Sequence, residues 1–243
     1  MIRYIIIIIV LFVIILITQI TPTTVIKFIL KHFKTNIKVC GKKNLKDYND
    51  LKLVIMSNHH SALDQGIVTY AINSNIESDK KLYTVVKHNL LGDKNDKNGV
   101  SSFLGKFKEP IYKFFNFIPY IRGNKKSGDN IKKMMMRLVK KEKHSILLFP
   151  EGETQRIPIP KEFKPGSFKL CAENNIGVLP VSLKFNKRVG GNKGDKVKIS
   201  RWYNANVIVY IHEPIFDNNW EGLRDKVFNK IREPLLNDKF CQN

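Results

Sequence analysis

The chain has 243 residues, of which 42 are lysine or arginine and 21 are aspartate or glutamate, so its formal net charge is +21. This length suits one α/β domain with or without an appendage, and Cys40, Cys171 and Cys241 lie too far apart, without C-x-x-C spacing, for a zinc site or a disulfide framework, which predicts reduced thiols. The charge points to an acidic partner such as nucleic acid, an anionic membrane or a phosphorylated substrate, although AT-rich coding also produces such an excess of lysine, isoleucine and asparagine.

The first predicted element is an apolar helix that anchors the chain in a membrane. Residues 4–26 contain no charged side chain, and a helix of roughly 20 apolar residues can cross a bilayer. Pro22 is expected to end or kink this helix, which therefore runs over 4–21. No A-x-A-like cleavage site follows the apolar residues, so the pattern favours a retained anchor over a cleaved signal peptide.

A second, interfacial helix is predicted over 24–34. Lys27, Lys31 and Lys34 are interleaved there with apolar residues, as in helices that lie in a bilayer surface and extend their lysine side chains to water. Residues 1–35 are therefore a predicted membrane anchor, either a single spanning helix or a two-helix motif sunk into one leaflet. If the anchor spans the membrane, the lysines that follow it place the rest of the chain on the cytoplasmic side.

The remainder, 36–243, is predicted to form one α/β domain. Short apolar runs, typical of buried strands, alternate with segments in which apolar residues recur every three or four positions, as on one face of a helix. This alternation predicts a mixed, largely parallel central sheet flanked by helices. Strands are expected near residues 51–56, 81–87, 114–123, 145–149, 176–183 and 206–215, and helices over 61–73, from residue 129 onward and over 220–235.

Polar residues follow three of the predicted strands directly. The first strand runs into SNHHSALD, another into YIRGN and a third into FPEGETQR. In open α/β sheets, ligand sites lie beyond the carboxyl ends of the strands. We therefore expect a histidine, an aspartate, an arginine and a Glu-Gly turn to lie together at one edge of the sheet.

Two adjacent histidines compete for the role of general base. If His59 lies in the turn before a helix, Asp64 in the first helical turns can orient one of its ring nitrogens and raise the basicity of the other. The i, i+4 spacing of His60 and Asp64 instead places that pair on one face of a regular helix. The spacing leaves both pairs open as the catalytic pair. Two further interpretations are a capped turn with a purely structural role and a metal site, although no additional metal ligands are apparent in the sequence.

The FPEGETQR segment and the nearby arginines are candidate anion-binding groups. The backbone N–H groups of a Pro-Glu-Gly turn can face an anion, and the Arg122 and Arg156 side chains can bind a phosphate. The sequence contains no G-x-S-x-G nucleophile motif. Direct attack by a deprotonated acceptor is therefore favoured over a covalent intermediate.

Four ordered segments resemble the glycerolipid acyltransferases, the family typified by 1-acylglycerol-3-phosphate acyltransferase. These segments are NHHSALD, FIPYIRGN, LLFPEGETQR and VLPVSL, and VVKHNLLG, FKPGSFKLC and IVYIHEPI are further similarities. The likeness covers roughly residues 51–215. It implies a membrane-bound enzyme of phospholipid biosynthesis that moves a fatty acyl group from acyl-CoA, or an acyl carrier protein, to a glycerol hydroxyl. The expected acceptor is lysophosphatidate, and the expected product is phosphatidic acid.

The resemblance also implies roles for individual residues. It implies that His59 is the general base and that Asp64 orients it. The residues that it implies for binding or positioning the acceptor are Lys87, Arg122, Glu151, Gly152 and Pro180. No metal, cofactor or acyl-enzyme is implied, and the expected partners are membrane lipids, the lysophospholipid acceptor and the acyl-CoA donor, with no nucleic acid.

The sequence departs from the family pattern at two places. Glu153 and Thr154 stand where the third motif usually continues with Thr-Arg, and Arg156 is the nearest replacement for that arginine. Ile121 stands where an aspartate commonly precedes the arginine of the second motif. These departures leave the acceptor open between lysophosphatidate, another lysophospholipid and glycerol-3-phosphate. A membrane-tethered basic binding protein is the alternative of a different class, but it leaves the His-Asp and Pro-Glu-Gly motifs unexplained.

Overall fold

The structure, a computed structural model, describes residues 20–61, 63–88, 108–121, 123–155, 159–187 and 203–237. The predicted apolar helix over 4–21 lies almost wholly outside these residues. Within the part of the chain that is described, no helix is both long enough and apolar enough to cross a membrane.

A single sheet forms the centre of the domain. Its strands are β1 (Asn36–Cys40), β2 (Leu53–Ser57), β3 (Leu82–Lys87), β4 (Phe117–Tyr120), β5 (Ser145–Leu148), β6 (Gly177–Phe185) and β7 (Asn206–Ile211). They lie in the order β1-β7-β6-β2-β5-β3-β4. Neighbouring strands are parallel except for β6 and β7, which are antiparallel. The predicted mixed, largely parallel sheet is confirmed.

Helices cover both faces of this sheet. They are α1 (Pro22–His32), α2 (Asp64–Asn73), α3 (Lys108–Phe114), α4 (Lys125–Met135), α5 (Gly166–Glu173) and α6 (Trp220–Leu236). Helix α4 continues into a π-helical turn over Met136–Lys141. Helix α1 packs on α2, while α6 packs on α5 and on strand β6.

Side chains of the central strands alternate between two apolar cores. Ile55 and Leu147 belong to a core that also contains buried residues of α1 and α2. Val54 and Ile146 belong to a second core, shared with α4, α5 and α6. Both faces of β2 and β5 are therefore buried, which is why these strands appear in the sequence as continuous apolar runs.

Helix α1 begins at Pro22, whereas the sequence predicts that Pro22 ends or kinks a preceding helix and that the next helix covers 24–34. The Thr21 hydroxyl accepts the Thr24 N–H at 3.2 Å and caps the helix. Proline is favoured in a first helical turn, because the N–H group that it lacks would have no partner there. The proline is thus a start signal for the described helix.

One side of α1 packs on the protein and the other is exposed. Ile26 and Leu30 are buried in the core that α1 shares with α2. Lys27 and Lys31 are exposed, and the Phe28 side chain is 72% exposed. The helix is therefore joined to the α/β domain and presents an apolar ring between two cations.

Strand β1 is an element that the sequence pattern does not predict. It is a short edge strand, and its parallel partner β7 pairs with it across a large sequence separation, Asn36 lying level with Asn206. The periodicity of a strand of only five residues does not show which distant segment the strand pairs with. The fold therefore extends one strand further than the predicted elements.

The expectation of three reduced thiols is wrong for Cys40. This cysteine, the last residue of β1, is disulfide-bonded. Cys171 is a free, buried thiol, and burial raises its pKa to about 12. Linear spacing does not show which cysteines the fold brings within bonding distance, since that depends on Cα separation in space.

Candidate active site

The carboxyl ends of β2 and β5 bring together the histidine turn (residues 58–61) and the Pro-Glu-Gly turn (residues 150–152). The two strands are parallel neighbours, with Met56 level with Leu148. His59 and Glu151 each follow these paired residues at the same distance along the chain. The His59 backbone N–H donates to Glu151 Oε1 at 2.8 Å. The two predicted segments thus meet at one edge of the sheet.

The Asp64 carboxylate binds the whole histidine turn. Its Oδ2 lies 2.9 Å from His59 Nδ1 and accepts the backbone N–H groups of His60 and Ser61. Its Oδ1 accepts the Ser61 hydroxyl at 2.8 Å. The side chain is fully buried, so these donors fix a single orientation. The same bonds explain why α2 begins at Asp64 and not near residue 61, because residues 60 and 61 form the turn that this carboxylate holds.

The contact with Asp64 sets the protonation pattern of the His59 ring. A carboxylate oxygen only accepts, so Nδ1 carries a proton, and in the neutral imidazole Nε2 then has the lone pair. The His59 side chain is 18% exposed, and its ring stacks on the ring of Phe149 with centroids 4.2 Å apart. His59 therefore presents a basic nitrogen from a fixed ring at a partly open site.

His60 is turned into the protein. It is buried, and its Nε2 lies 3.0 Å from Asn58 Nδ2. Its ring also contacts Phe185 edge to face. The imidazole that pairs with Asp64 is thus that of His59, which the residue spacing alone does not decide. Because the two rings bind different partners, they do not converge as a pair of metal ligands.

Asn58 ties the histidine turn to the neighbouring strand β6. Its side chain is fully buried. Asn58 Nδ2 donates to the Leu183 carbonyl at 2.9 Å, and the Leu183 N–H donates to Asn58 Oδ1 at 2.8 Å. Strand β6 extends beyond the end of β2, so the Asn58 amide gives the buried N–H and carbonyl of Leu183 the partners that a neighbouring strand would otherwise supply.

Glu151 is buried between the two turns. Oε1 accepts the His59 N–H, and Oε2 accepts the Lys161 N–H at 3.0 Å. Burial raises the pKa of the Glu151 carboxyl to about 7, against the lowering effect of these two backbone donors. The side chain is 4% exposed, so little of its surface can meet the acceptor that the resemblance implies for it.

Gly152 closes the Pro-Glu-Gly turn. Its N–H donates to the Phe149 carbonyl at 2.9 Å, so this donor is engaged within the turn and does not face an anion. Its φ of +70° favours glycine. The Lys164 Nζ lies 2.7 Å from the position that a Cβ would take. The absence of a side chain thus lets an exposed ammonium group lie against the turn.

Lys87 and Pro180 differ in their access to the site. Lys87 is the last residue of β3 and is exposed at the same sheet edge. One strand separates β3 from β2, so at the usual strand spacing Lys87 lies about 10 Å from the histidine turn. Pro180 is buried inside β6, level with Met56, and its carbonyl accepts the His212 N–H at 3.0 Å. Pro180 is therefore part of the sheet and not of the open edge.

Arg122 and Arg156 lie outside the described residues. Their described neighbours flank the same edge of the sheet. Ile121 follows β4 and is 45% exposed, while Gln155 is buried. The Gln155 N–H donates to the His59 carbonyl at 2.8 Å.

Sequence reasoning does not identify Asn58, Phe149 or Gln155 as residues of this site. Each of them contacts the histidine turn, through an amide side chain, an aromatic ring or a backbone N–H. The signal available in the sequence is position, because Asn58 and Phe149 directly follow the ends of the two parallel strands. Phenylalanine and asparagine are otherwise ordinary core and turn residues.

Comparison with known proteins gives consistent matches. The family model described as Acyltransferase matches residues 36–184. A chloroplastic 1-acyl-sn-glycerol-3-phosphate acyltransferase of Brassica napus is 27% identical over 211 residues, which cover 85% of this chain and 52% of that protein. One from Arabidopsis thaliana is 26% identical over 211 residues, covering 85% and 51%. The chain therefore spans about half the length of these curated relatives.

A solved structure shares the fold. The 1-acyl-sn-glycerophosphate acyltransferase PlsC from Thermotoga maritima aligns with a TM-score of 0.58 and 18% sequence identity. The alignment covers 91% of this chain and 83% of that one. The α/β sheet with its flanking helices is thus common to both proteins.

Proposed function

This chain belongs to the Acyltransferase family, and on that premise we propose that it moves a fatty acyl group from acyl-CoA to the free hydroxyl of 1-acylglycerol-3-phosphate. The product is phosphatidic acid. The names of the similar plant proteins support this acceptor. The pairing of His59 Nδ1 with Asp64 is the observation that carries the proposal, because an alcohol needs a positioned base to attack a thioester at neutral pH.

In the proposed reaction, the acceptor hydroxyl donates a hydrogen bond to His59 Nε2. That nitrogen takes the proton as the hydroxyl oxygen attacks the thioester carbonyl carbon, and Asp64 stabilises the imidazolium that forms. The carbon–sulfur bond then breaks, and the proton passes from Nε2 to the departing thiolate. A base held in this way contributes roughly 10²–10⁴ to the rate.

Cations along the same sheet edge are proposed to bind the acceptor phosphate. Lys87 lies at the end of β3, and Lys164 lies against the turn at Gly152. Arg122 and Arg156 remain sequence predictions for the same role. Ammonium and guanidinium groups form charge-assisted hydrogen bonds with phosphate oxygens, so a phosphate bound here would place a nearby glycerol hydroxyl toward the histidine turn.

We also propose that the domain works at the cytoplasmic surface of a membrane, where its lipid acceptor resides. Helix α1 exposes Phe28 beside Lys27 and Lys31, a combination that suits the boundary between lipid head groups and acyl chains. The predicted apolar helix over 4–21 would add a stronger attachment. The proposed reaction uses no metal and no cofactor.

A panel of acceptors and donors tests the proposal. The full chain in lipid vesicles is given acyl-CoA or acyl carrier protein thioester, with lysophosphatidate, lysophosphatidylcholine or glycerol-3-phosphate. We expect the highest rate with acyl-CoA and lysophosphatidate. Transfer to a different acceptor alone would overturn the proposed acceptor, and transfer from the carrier protein alone would overturn the donor. No transfer with any pair would contradict the function itself.

A further inference from the structure

We propose that Glu151 is a positioning residue that holds the backbone of His59, and that it is not a ligand for the acceptor. This inference deepens the proposed function and rests on it, since it concerns the histidine to which that function assigns the base. It differs from the role that the family resemblance implies for Glu151.

Both carboxylate oxygens of Glu151 are engaged by backbone donors. Oε1 accepts the His59 N–H at 2.8 Å, and Oε2 accepts the Lys161 N–H at 3.0 Å. Hydrogen bonds to an ionised acceptor are about twice as strong as neutral ones. The side chain thus bridges the histidine turn and the 159–164 segment, and its 4% exposure leaves little access for a substrate.

The segment that carries Glu151 holds His59 at three points. The Glu151 carboxylate accepts a hydrogen bond from the His59 N–H, and the Gln155 N–H donates to the His59 carbonyl at 2.8 Å. The Phe149 ring stacks on the imidazole. Asp64 then fixes the rotation of that imidazole through Nδ1. Backbone and ring of His59 are therefore held separately, and Glu151 belongs to the backbone contacts.

Charge also argues against Glu151 as a phosphate ligand. A carboxylate beside a phosphate is repelled, and the repulsion is stronger where water is excluded. Burial already raises the pKa of Glu151 to about 7, so a second anion in contact would oppose its ionised form further. The backbone N–H groups that it accepts are the partners that suit its charge.

Kinetics of Glu151→Gln separate the two roles. Glutamine has the same size but replaces one carboxylate oxygen by an amide NH₂, which opposes a backbone N–H donor. A misplaced base lowers kcat, so we expect kcat to fall about 10- to 100-fold with an almost unchanged KM for lysophosphatidate. Glu162→Gln, an exposed residue of the neighbouring segment, should leave both constants unchanged.

A spectroscopic measurement keeps the test independent of turnover. In wild type, the His59 backbone amide proton should resonate downfield, as expected for a donor to a carboxylate, and in folded Glu151→Gln it should move upfield. A rise of about tenfold in KM with an unchanged kcat, or an unmoved His59 amide signal, would overturn the inference. If wild type transfers no acyl group at all, the proposed function fails, while the amide signal still decides whether Glu151 holds His59. If Glu151→Gln does not fold, the wild-type His59 amide proton alone tests the inference: a downfield position supports it, and an ordinary position overturns it.

Discussion

The buried carboxylate of Asp64 accepts hydrogen bonds from His59, from the backbone of His60 and from both the backbone and the hydroxyl of Ser61. Residue spacing indicates that Asp64 belongs with one of the two histidines, but it does not choose between them, because the choice depends on where the turn ends and the helix begins. The structure supplies that boundary. At this scale, sequence patterns identify candidate residue types for the site, and local backbone geometry decides their pairing.

Asp64→Asn should lower both stability and activity. The asparagine side chain has a single acceptor oxygen in place of two, so at least one buried donor loses its partner, and unfolding free energy should fall by about 3 kcal/mol. Activity of the folded fraction should fall roughly 10²- to 10⁴-fold, because the His59 ring loses its orienting acceptor. Urea denaturation and acyl transfer assays measure the two effects.

Asp47→Asn is the matched control for that substitution. The Asp47 side chain is 59% exposed and lies 3.9 Å from Lys46, so its removal should change stability by less than about 0.5 kcal/mol. Equal losses in the two variants would contradict the role of the buried carboxylate.

At the scale of elements, the strands whose carboxyl ends form the site differ in length. Strand β6 continues past the end of β2, and Asn58 bonds to both backbone groups of Leu183 there. The apolar runs predict these strands because both of their faces are buried. The bridge at Asn58 cannot be predicted in the same way, since an asparagine after a strand is also an ordinary turn residue.

Asn58→Ala should separate the histidine turn from β6. The substitution leaves the buried N–H and carbonyl of Leu183 without their side-chain partners, and each unsatisfied group costs about 1–3 kcal/mol. Thermal or urea unfolding should therefore show a loss of roughly 2–6 kcal/mol. The exposed asparagine pair of Asn36 and Asn206, 3.0 Å apart, provides the comparison: Asn36→Ala should have a small effect. A small effect in both variants would show that the Asn58 bridge contributes little.

At the scale of the whole molecule, two titratable groups, His212 and Glu151, give the free energy of unfolding opposite dependences on pH. The pKa of His212 is lowered from its ordinary value of 6.5 to about 4, chiefly by burial. Between these two pH values the unfolded state binds a proton at His212 that the folded state does not bind. Stability from His212 is therefore lost as pH falls from about 6.5 to 4. The pKa of Glu151 is raised to about 7, so its contribution is present at low pH and is lost as pH rises toward 7. The two effects overlap, and single variants are needed to separate them.

His212→Gln isolates the histidine contribution. The Ser182 hydroxyl donates to the Ile231 carbonyl, so His212 Nε2 donates to Ser182 at 2.8 Å, a bond that a glutamine amide can imitate. The stability advantage of wild type over the variant should be largest above pH 6.5 and should shrink as pH falls toward 4. Urea denaturation at a series of pH values gives this difference, and a constant difference would contradict the assignment.

The sequence predicts some features of the sheet topology but not the order of its strands. Alternation of apolar runs and helical patterns predicts a largely parallel sheet, because each crossover helix returns the chain to the same edge. It does not predict that β1 pairs with β7, since that pairing joins distant segments. It also does not predict that the consecutive strands β6 and β7 are antiparallel, since an apolar run carries no information on strand direction. The convergence of strand ends is predictable because it follows from parallel packing alone, whatever the order of the strands.

The measurement that tests the account most directly is acyl transfer from acyl-CoA to lysophosphatidate by wild type, His59→Ala and His60→Ala, with each rate divided by the folded fraction from circular dichroism. His59→Ala should lose roughly 10²- to 10⁴-fold in kcat, because Nε2 is the proposed base. His60→Ala should keep most of its turnover per folded molecule, because its ring is buried against Asn58 and Phe185. Undiminished turnover in His59→Ala, or equal losses in the two variants, would contradict the assignment of His59 as the base.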